Sequence, residues 1–188
     1  MGDKELSISG LRLRWKAIEW GRFWKPRREE DAAIRTVLES TPLFEGLSHR
    51  DWRMLADLFH LRRYSPGEII FEEGTPGLGM YVILSGEVCI TSQADGREVI
   101  LATLGPGDFF GELSLIDEIE RSANARAEGK TELIGLFRPH LRELMMHRPK
   151  LGVRMYERLA KVIVRRMREA NRLLIEQQIE MAKARESE

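Results

Sequence analysis

Residues 104–125 have the sequence LGPGDFFGELSLIDEIERSANA, and the middle of this stretch suits a ligand that combines an anion with a sugar. Gly111 lets the backbone approach a ligand closely, because it has no side chain. The residues from Glu112 to Asp117 can form a short helix, whose first N–H groups have no partner within the helix and favour an anion. Arg121, nine positions after Glu112, carries a planar guanidinium that suits a phosphate, whereas the Glu112 carboxylate suits a sugar hydroxyl. The stretch therefore predicts a site for a phosphate joined to a ribose.

Short β-strands separated by turns are predicted on both sides of this stretch. Turn-forming residues recur about every ten positions between 65 and 108, and Asp95-Gly96 is typical of a β-hairpin turn. The strand-like runs between the turns cover residues 68–71, 80–84, 87–91, 98–104 and 131–137. Many short strands with regular turns are typical of an antiparallel sandwich, jelly roll or barrel. Residues 1–60 and 138–188 carry few turn signals and are predicted to be helical.

Residues 110–123, which we call the cassette, resemble the phosphate-binding cassette of the cyclic-nucleotide-binding domain family. This family includes catabolite-activator-type bacterial receptors and protein kinase regulatory subunits. The resemblance extends over residues 43–174, with residues 71–86 similar to the family's glycine-marked strands and 104–112 similar to the segment that leads into the cassette. It implies an α+β fold: an antiparallel β jelly-roll barrel flanked by N-terminal helices and a long C-terminal dimerisation helix. It also implies a cyclic nucleotide as regulatory ligand, with cyclic AMP favoured, cyclic GMP as the alternative, and no metal.

The resemblance assigns roles to individual residues. Glu112 would hold the ribose 2′-hydroxyl, and Arg121 would pair with the cyclic phosphate. The Ser122 hydroxyl and several backbone groups would complete the phosphate cradle. These backbone groups belong to Gly111, Glu112, Leu113, Ser114, Ser122 and Ala123. The purine would lie against apolar strand residues beneath the long helix, where Asn171 either reads the purine edge or stays an ordinary solvated residue. Ser114 and Asn124-Ala125 depart from the family's usual residues, which leaves base preference and affinity open.

A single long helix is predicted for residues 150–185, where the chain has no Pro and only one Gly. Residues at spacings of three and four form a seam of more than four heptads, which consists of Val153, Tyr156, Ala160, Ile163, Met167, Ala170, Leu174, Gln177, Met181 and Ala184. Because so long a helix cannot bury both faces on a small barrel, we predict that the seam pairs with its copy in a parallel homodimer. Packing of the helix along its own domain is the alternative.

The chain is thus divided into three parts. Residues 1–40 form a basic, Trp-rich helical extension, residues 41–149 the cyclic-nucleotide-binding β-roll with short flanking helices, and residues 150–188 the long helix. We expect ligand binding to be reported through this helix to a partner protein of unknown identity. Pro149 and Gly152 provide a hinge at its start.

The N-terminal extension has two interpretations. Residues 11–28 contain seven basic residues against one acidic residue, with Trp15, Trp20 and Trp24 interleaved. Such a composition suits peripheral contact with an anionic membrane. The aromatic residues do not share one helical face, however, which favours a helix packed on the barrel or on a partner protein.

Other function classes receive less support. The formal net charge is zero, from 30 basic and 30 acidic residues, so the chain as a whole has no attraction for nucleic acid. The seam runs almost to residue 188 and leaves no room for a helix-turn-helix, so DNA binding is not expected. Arg165, Arg166, Arg168 and Arg172 are interpreted as solvated. Two alternatives stay open: a catabolite-activator-type transcription regulator that lacks or has lost its DNA-binding domain, and a degenerate fold that serves as an interaction module.

An enzyme is not expected either. None of the four His residues is expected in the strand region, and no nucleophile–base pattern occurs, so neither a cupin-type metal site nor a hydrolase is indicated. No stretch approaches the ~20 apolar residues that span a bilayer, and the N-terminus has no apolar signal-peptide core. We therefore expect a cytoplasmic protein.

Overall fold

The computed structural model of the chain describes residues 28–186, which form two antiparallel four-stranded sheets with helices at both ends. The strands are β1 (Phe59–Tyr64), β2 (Ile69–Phe71), β3 (Gly79–Ser85), β4 (Val88–Ala94), β5 (Arg97–Leu104), β6 (Phe109–Phe110), β7 (Asn124–Ala127) and β8 (Thr131–Phe137). The helices are α1 (Arg28–Ser40), α2 (His49–Ala56), α3 (Arg138–His147) and α4 (Pro149–Glu186). A short 3₁₀ helix, Glu112–Leu115, lies between β6 and β7.

The two sheets have the strand orders β1-β8-β3-β6 and β2-β7-β4-β5, so most neighbours are distant in sequence. This order is that of a jelly roll. One hydrophobic cluster lies inside the roll and includes Tyr81, Ile83, Phe110 and Leu133. A second, larger cluster joins the first sheet to the helices, with Phe44, Leu55, Met80, Leu136 and Met155 among its buried members.

All five predicted strands are confirmed to within a few residues, as is the hairpin between β4 and β5. Asp95 and Gly96 have φ angles of 52° and 73°, the left-handed pair that a two-residue hairpin of this type requires. Residues 138–147, within the range predicted to be helical, form α3, which has Pro139 in its first turn. Strands β1, β6 and β7 were not predicted. His60 lies in β1, so the expectation that no His falls in the strand region is wrong.

Only one face at the start of α4 packs on the domain. Leu151, Met155, Leu159 and Val162 are buried there, at spacings that follow one side of the helix. The predicted seam lies on another side, where Met167 and Leu174 are 64% and 57% exposed. From residue 164 onward every described side chain of α4 is exposed. Among residues 28–186 the seam is therefore uncovered from Met167 onward, whereas Tyr156 and Ile163 near its start pack partly against the core. Pairing with a second copy stays a prediction.

The interpretations of residues 11–28 fall almost entirely outside the described residues. Within residues 28–186, no helix is both long enough and apolar enough to traverse a bilayer.

Candidate functional site

The cassette follows directly from β6, whose two residues pair with Tyr81 and Val82 of β3. Gly111 then adopts φ 75° and begins the 3₁₀ helix Glu112–Leu115, within the range predicted to be helical. A Cβ atom at Gly111 would lie 2.4 Å from Nη1 of Arg121. Glycine is thus required here twice, for the left-handed backbone and for the close approach of the guanidinium.

Arg121 is a buried cation, with 7% of its surface exposed. Its Nη1 donates to the carbonyl of Gly111 at 3.2 Å and to Oγ of Ser114 at 3.0 Å. The guanidinium carbon lies 4.0 Å from the ring centre of Phe71, a cation–π contact. The pKa of Arg121 is lowered by burial, although Tyr81 and Glu112 act in the opposite direction.

The hydrogen bonds of Arg121 are incomplete. Its Nε is buried and has no hydrogen-bond partner among the described residues. None of the ion pairs found between residues 28 and 186 includes Arg121. A buried cation without an anionic partner is costly, so this arrangement favours a bound anion beside Arg121.

Glu112 is buried as well, with 6% of its surface exposed. Its Oε1 accepts a hydrogen bond from Nη1 of Arg166 on α4 at 2.9 Å. Nη2 of Arg166 donates to the carbonyl of Phe109 at 2.6 Å, and the guanidinium carbon lies 4.3 Å from the ring centre of the same residue. The long helix is therefore attached to the cassette through its carboxylate.

Arg166 is 44% exposed, in line with its interpretation as a solvated residue, but that interpretation missed the contact of its guanidinium with Glu112. Arg166 lies one turn after Val162, which is the last of the buried residues on the domain-facing side of α4. This spacing was the available signal, because it directs the side chain at position 166 toward the domain. The seam residues lie on a different side of the helix, so their spacing does not predict this contact. Arg172, by contrast, is exposed and pairs within α4, for example with Glu176 at 2.9 Å.

The other predicted site residues divide into two groups. Ser114 is buried and touches Arg121, and Ala123 is buried near it in sequence, whereas Leu113 and Ser122 are exposed. Asn171 lies exposed on α4, five positions after Arg166. The structure thus brings Gly111, Ser114 and Arg121 into direct contact, with Glu112 beside them, and leaves Asn171 at a distance along the helix.

Asn124 and Ala125, which depart from the family's usual residues, support the strands beside the cassette. The side-chain oxygen of Asn124 accepts a hydrogen bond from the backbone N–H of Glu73 at 2.9 Å. Ala125 is completely buried in the cluster inside the roll, against which Phe71 also packs. Both residues therefore help to hold Phe71 beneath the Arg121 guanidinium.

A jelly roll with a buried arginine, a buried glutamate and a glycine-initiated helix in one loop is the architecture of a cyclic nucleotide-binding domain. Residues 61–148 match the family model described as "Cyclic nucleotide-binding domain". The chain belongs to this family, and its domain is a regulatory, nucleotide-binding domain.

Relatives with known names support this assignment. The chain is 39% identical over 135 residues to the cyclic AMP receptor protein of Thermus thermophilus, a match that covers 71% of this chain and 61% of that protein. It is 35% identical over 101 residues to the cAMP-dependent protein kinase regulatory subunit of Mycosarcoma maydis, covering 54% of this chain and 19% of that protein. The crystal structure of the N-terminal domain of a transcriptional regulator from Streptomyces coelicolor superposes with a TM-score of 0.63 at 31% identity, covering 73% of this chain and 94% of that one.

These names describe receptors and regulators rather than enzymes, which agrees with the expected class of function. The chain spans about three fifths of the Thermus receptor, 61% of its length. Among residues 28–186, no group of three or more His, Cys, Asp or Glu side chains is arranged to hold a metal ion.

Proposed function

We propose that the chain binds a cyclic nucleotide, with cyclic AMP favoured over cyclic GMP, and that α4 reports the bound state. The observation that carries this proposal is the buried Arg121, whose Nε has no partner among the described residues. A phosphodiester is the anion that such a guanidinium fork suits, because two of its N–H groups can donate to two phosphate oxygens. The cyclic AMP receptor named above supports this choice of ligand.

The ribose would be held by Glu112. Its Oε1 is engaged by Arg166, which leaves Oε2 to accept a hydrogen bond from the 2′-hydroxyl. The carboxylate is 6% exposed, so a hydrogen bond to it would be shielded from competing water. Gly111, Leu113, Ser114, Ser122 and Ala123 would contribute the backbone around the phosphate.

The purine would lie against β5, the strand at the edge of the second sheet. Val99, Ile100 and Leu101 are 43%, 66% and 57% exposed, an unusual run of uncovered apolar surface. A purine and the helix above it would bury part of this surface. For Asn171, which lies exposed five positions after Arg166, to read the purine edge with its amide, α4 would have to move toward the bound base.

The output would pass through α4. Arg166 attaches this helix to the carboxylate that the ribose would use, so the ligand and the helix share one side chain, Glu112. A ligand can shift α4 only by binding one of its positions more tightly than the other. The exposed seam of α4 provides the surface for a parallel homodimer, in which both copies would respond together.

A titration with three nucleotides tests the proposal. Cyclic AMP, cyclic GMP and 5′-AMP are compared by calorimetry and by thermal shift on the full chain. A ligand at about 100 times its Kd should stabilise the fold by ~2.7 kcal/mol. In the same assays Arg121→Met removes the proposed phosphate contact, and Arg63→Met, which removes a charge from an arginine that is 72% exposed on β1, is its control. Binding of 5′-AMP as tight as that of the cyclic nucleotides, or no binding at all, would refute the proposal and favour the interaction-module alternative.

A further inference from the structure

Arg138 is a second buried arginine, with 8% of its surface exposed, and it lies at the junction of three segments. It is the first residue of α3, directly after β8. Its Nη1 donates to the carbonyl of Asp117 in the cassette, and its Nη2 to the carbonyl of Gly77 at 3.4 Å. Its Nε lies 3.8 Å from Oε1 of Glu118. The guanidinium of Arg138 therefore contacts the cassette and the loop before β3. The backbone of the same residue begins α3.

The loop that Arg138 contacts, residues 74–77, also forms backbone hydrogen bonds with the segment that contains Arg121. The backbone N–H of Gly74 donates to the carbonyl of Arg121 at 2.9 Å, and the N–H of Arg121 donates to the carbonyl of Thr75 at 2.8 Å. The N–H of Gly77 donates to the carbonyl of Ile119 at 3.3 Å. Residues 74–77 thus bind the backbone of Ile119 and Arg121 in the second half of the cassette, and Arg138 binds the carbonyl of Gly77 at the end of this loop.

The contact at Gly77 is tight on its other side as well. A Cβ atom at Gly77 would lie 1.9 Å from Oγ of Ser114, the hydroxyl that accepts the hydrogen bond from Arg121. A shift of the loop would therefore displace Ser114 and, with it, the guanidinium that would bind phosphate. Arg138 is consequently linked to the geometry of Arg121, although it does not touch that side chain.

Arg138 also connects the cassette to the helices that follow. It begins α3, and α3 packs closely on α4, where a Cβ atom at Gly152 would lie 2.5 Å from Cγ of Met145. Arg142, one turn further along α3, adds an ion pair to Glu118 at 3.1 Å. Both partners of that pair are more than half exposed, so it contributes little, and the buried Arg138 carries most of the link.

We propose that Arg138 is a positioning residue, which holds the cassette in its binding geometry and transmits the bound state of the cassette to α3 and α4. This inference rests on the proposed function, because it concerns the regulation of the same site. When a ligand moves the cassette, the carbonyl of Asp117 moves with it, and Arg138 must either follow or lose its hydrogen bond. The buried position of the guanidinium favours following, since a buried donor without an acceptor is costly.

The experiment compares Arg138→Met and Arg138→Lys with Arg142→Met, the matched control that removes the same charge from an exposed position on the same helix. Calorimetry measures the affinity for cyclic AMP, and hydrogen exchange measures the change in protection of residues 149–166 when each variant is fully saturated. For Arg138→Met we expect a loss of affinity of about tenfold, which corresponds to one charge-assisted hydrogen bond. We further expect less than half of the wild-type change in α4 protection at saturation.

The lysine variant keeps the charge but cannot bind two carbonyls with a planar fork, so its response should lie between those of the methionine variant and the wild type. It also decides the question if the methionine variant fails to fold. Full wild-type responses in both Arg138 variants would overturn the inference, as would a wild-type protein that binds nucleotide without any change in α4. A wild-type protein that binds no cyclic nucleotide refutes the proposed function itself, and the inference falls with it.

Discussion

Replacing Arg121 with methionine should separate ligand binding from the stability of the fold. Methionine retains apolar volume against the Phe71 ring, which lies 4.0 Å from the guanidinium carbon. It removes the donors to the Gly111 carbonyl and the Ser114 hydroxyl, and also the buried Nε that has no partner among the described residues. The substitution therefore eliminates the proposed phosphate contact while leaving a side chain that suits a buried position.

The size of both effects can be estimated from these contacts. Because Nη1 is already engaged, the phosphate would be bound through the remaining nitrogens, Nε among them. A hydrogen bond to a charged group contributes about 1.5–3 kcal/mol, which corresponds to a loss of affinity of about 10- to 150-fold. The free energy of unfolding without ligand should change by about 1 kcal/mol or less, since a buried charge replaced by an apolar side chain is often neutral.

Calorimetric titration with cyclic AMP gives the first quantity and urea unfolding of the ligand-free protein gives the second. Both are measured at one ionic strength, because the attraction between a guanidinium and a phosphate is screened by salt. The Arg63→Met protein serves as the control for the loss of charge. An Arg121→Met protein that binds cyclic AMP as tightly as the wild type would refute the assignment of Arg121 to the phosphate.

Three further predictions concern α4 and α2. Arg166→Met breaks the ion pair with Glu112, so hydrogen exchange in the second half of α4 should become faster in the ligand-free protein. Leu174→Glu places a charge in the predicted seam, where the side chain is 57% exposed, and should convert a dimer to monomer in sedimentation equilibrium. Asp51→Asn should lower the free energy of unfolding at pH 7 by roughly 1–2 kcal/mol, because it removes a buried carboxylate that accepts from the Ser48 hydroxyl and from Arg154 at 3.0 Å. Burial alone would raise the pKa of Asp51, but these two partners lower it below its ordinary 3.8, so the difference from the wild type should begin to shrink near pH 4 and be lost as the pH falls through the lowered pKa.

The two α4 variants have neighbouring controls, and unchanged exchange in Arg166→Met would contradict the role of its ion pair. Arg165→Met removes a charge next to Arg166 and should leave the exchange rates unchanged. Ile175→Glu adds the same charge as Leu174→Glu outside the seam and should leave the protein dimeric. A monomeric wild type would contradict the dimer. A constant stability difference between Asp51→Asn and wild type from pH 7 to pH 3 would show that the carboxylate charge is not what stabilises α2.

Much of the fold could be predicted from local sequence signals. The strands β3, β4 and β5 lie between glycine-containing turns, β8 follows Gly129, and the two positive φ angles of Asp95 and Gly96 fix the hairpin between β4 and β5. The prediction of a binding site in the cassette likewise depends on residues close in sequence, because Gly111, Glu112 and Arg121 lie within one short stretch. Such features are local, so one sequence is enough to find them.

The missed elements depend on contacts between distant residues. Strand β1 pairs with β8, about 70 positions later, and its residues, such as Arg62 and Arg63, alternate too weakly in polarity to predict a strand. Strand β7 has only four residues, and its identity as a strand follows from its pairing with β2 and β4. Neither pairing leaves a local signal, since the partner strand supplies the hydrogen bonds.

The two arginines that complete the site could be located only in three dimensions. Arg166 reaches Glu112 from 54 positions away, and Arg138 reaches the Gly77 carbonyl from 61 positions away. The amino-acid sequence by itself determined that Gly111, Glu112 and Arg121 lie in one short stretch, and from this alone it predicts a site for a phosphate and a sugar. Only the tertiary structure decided that Glu112 is engaged by α4 and that Arg138 joins the cassette to α3, because the direction of a side chain depends on how its helix packs against the sheets.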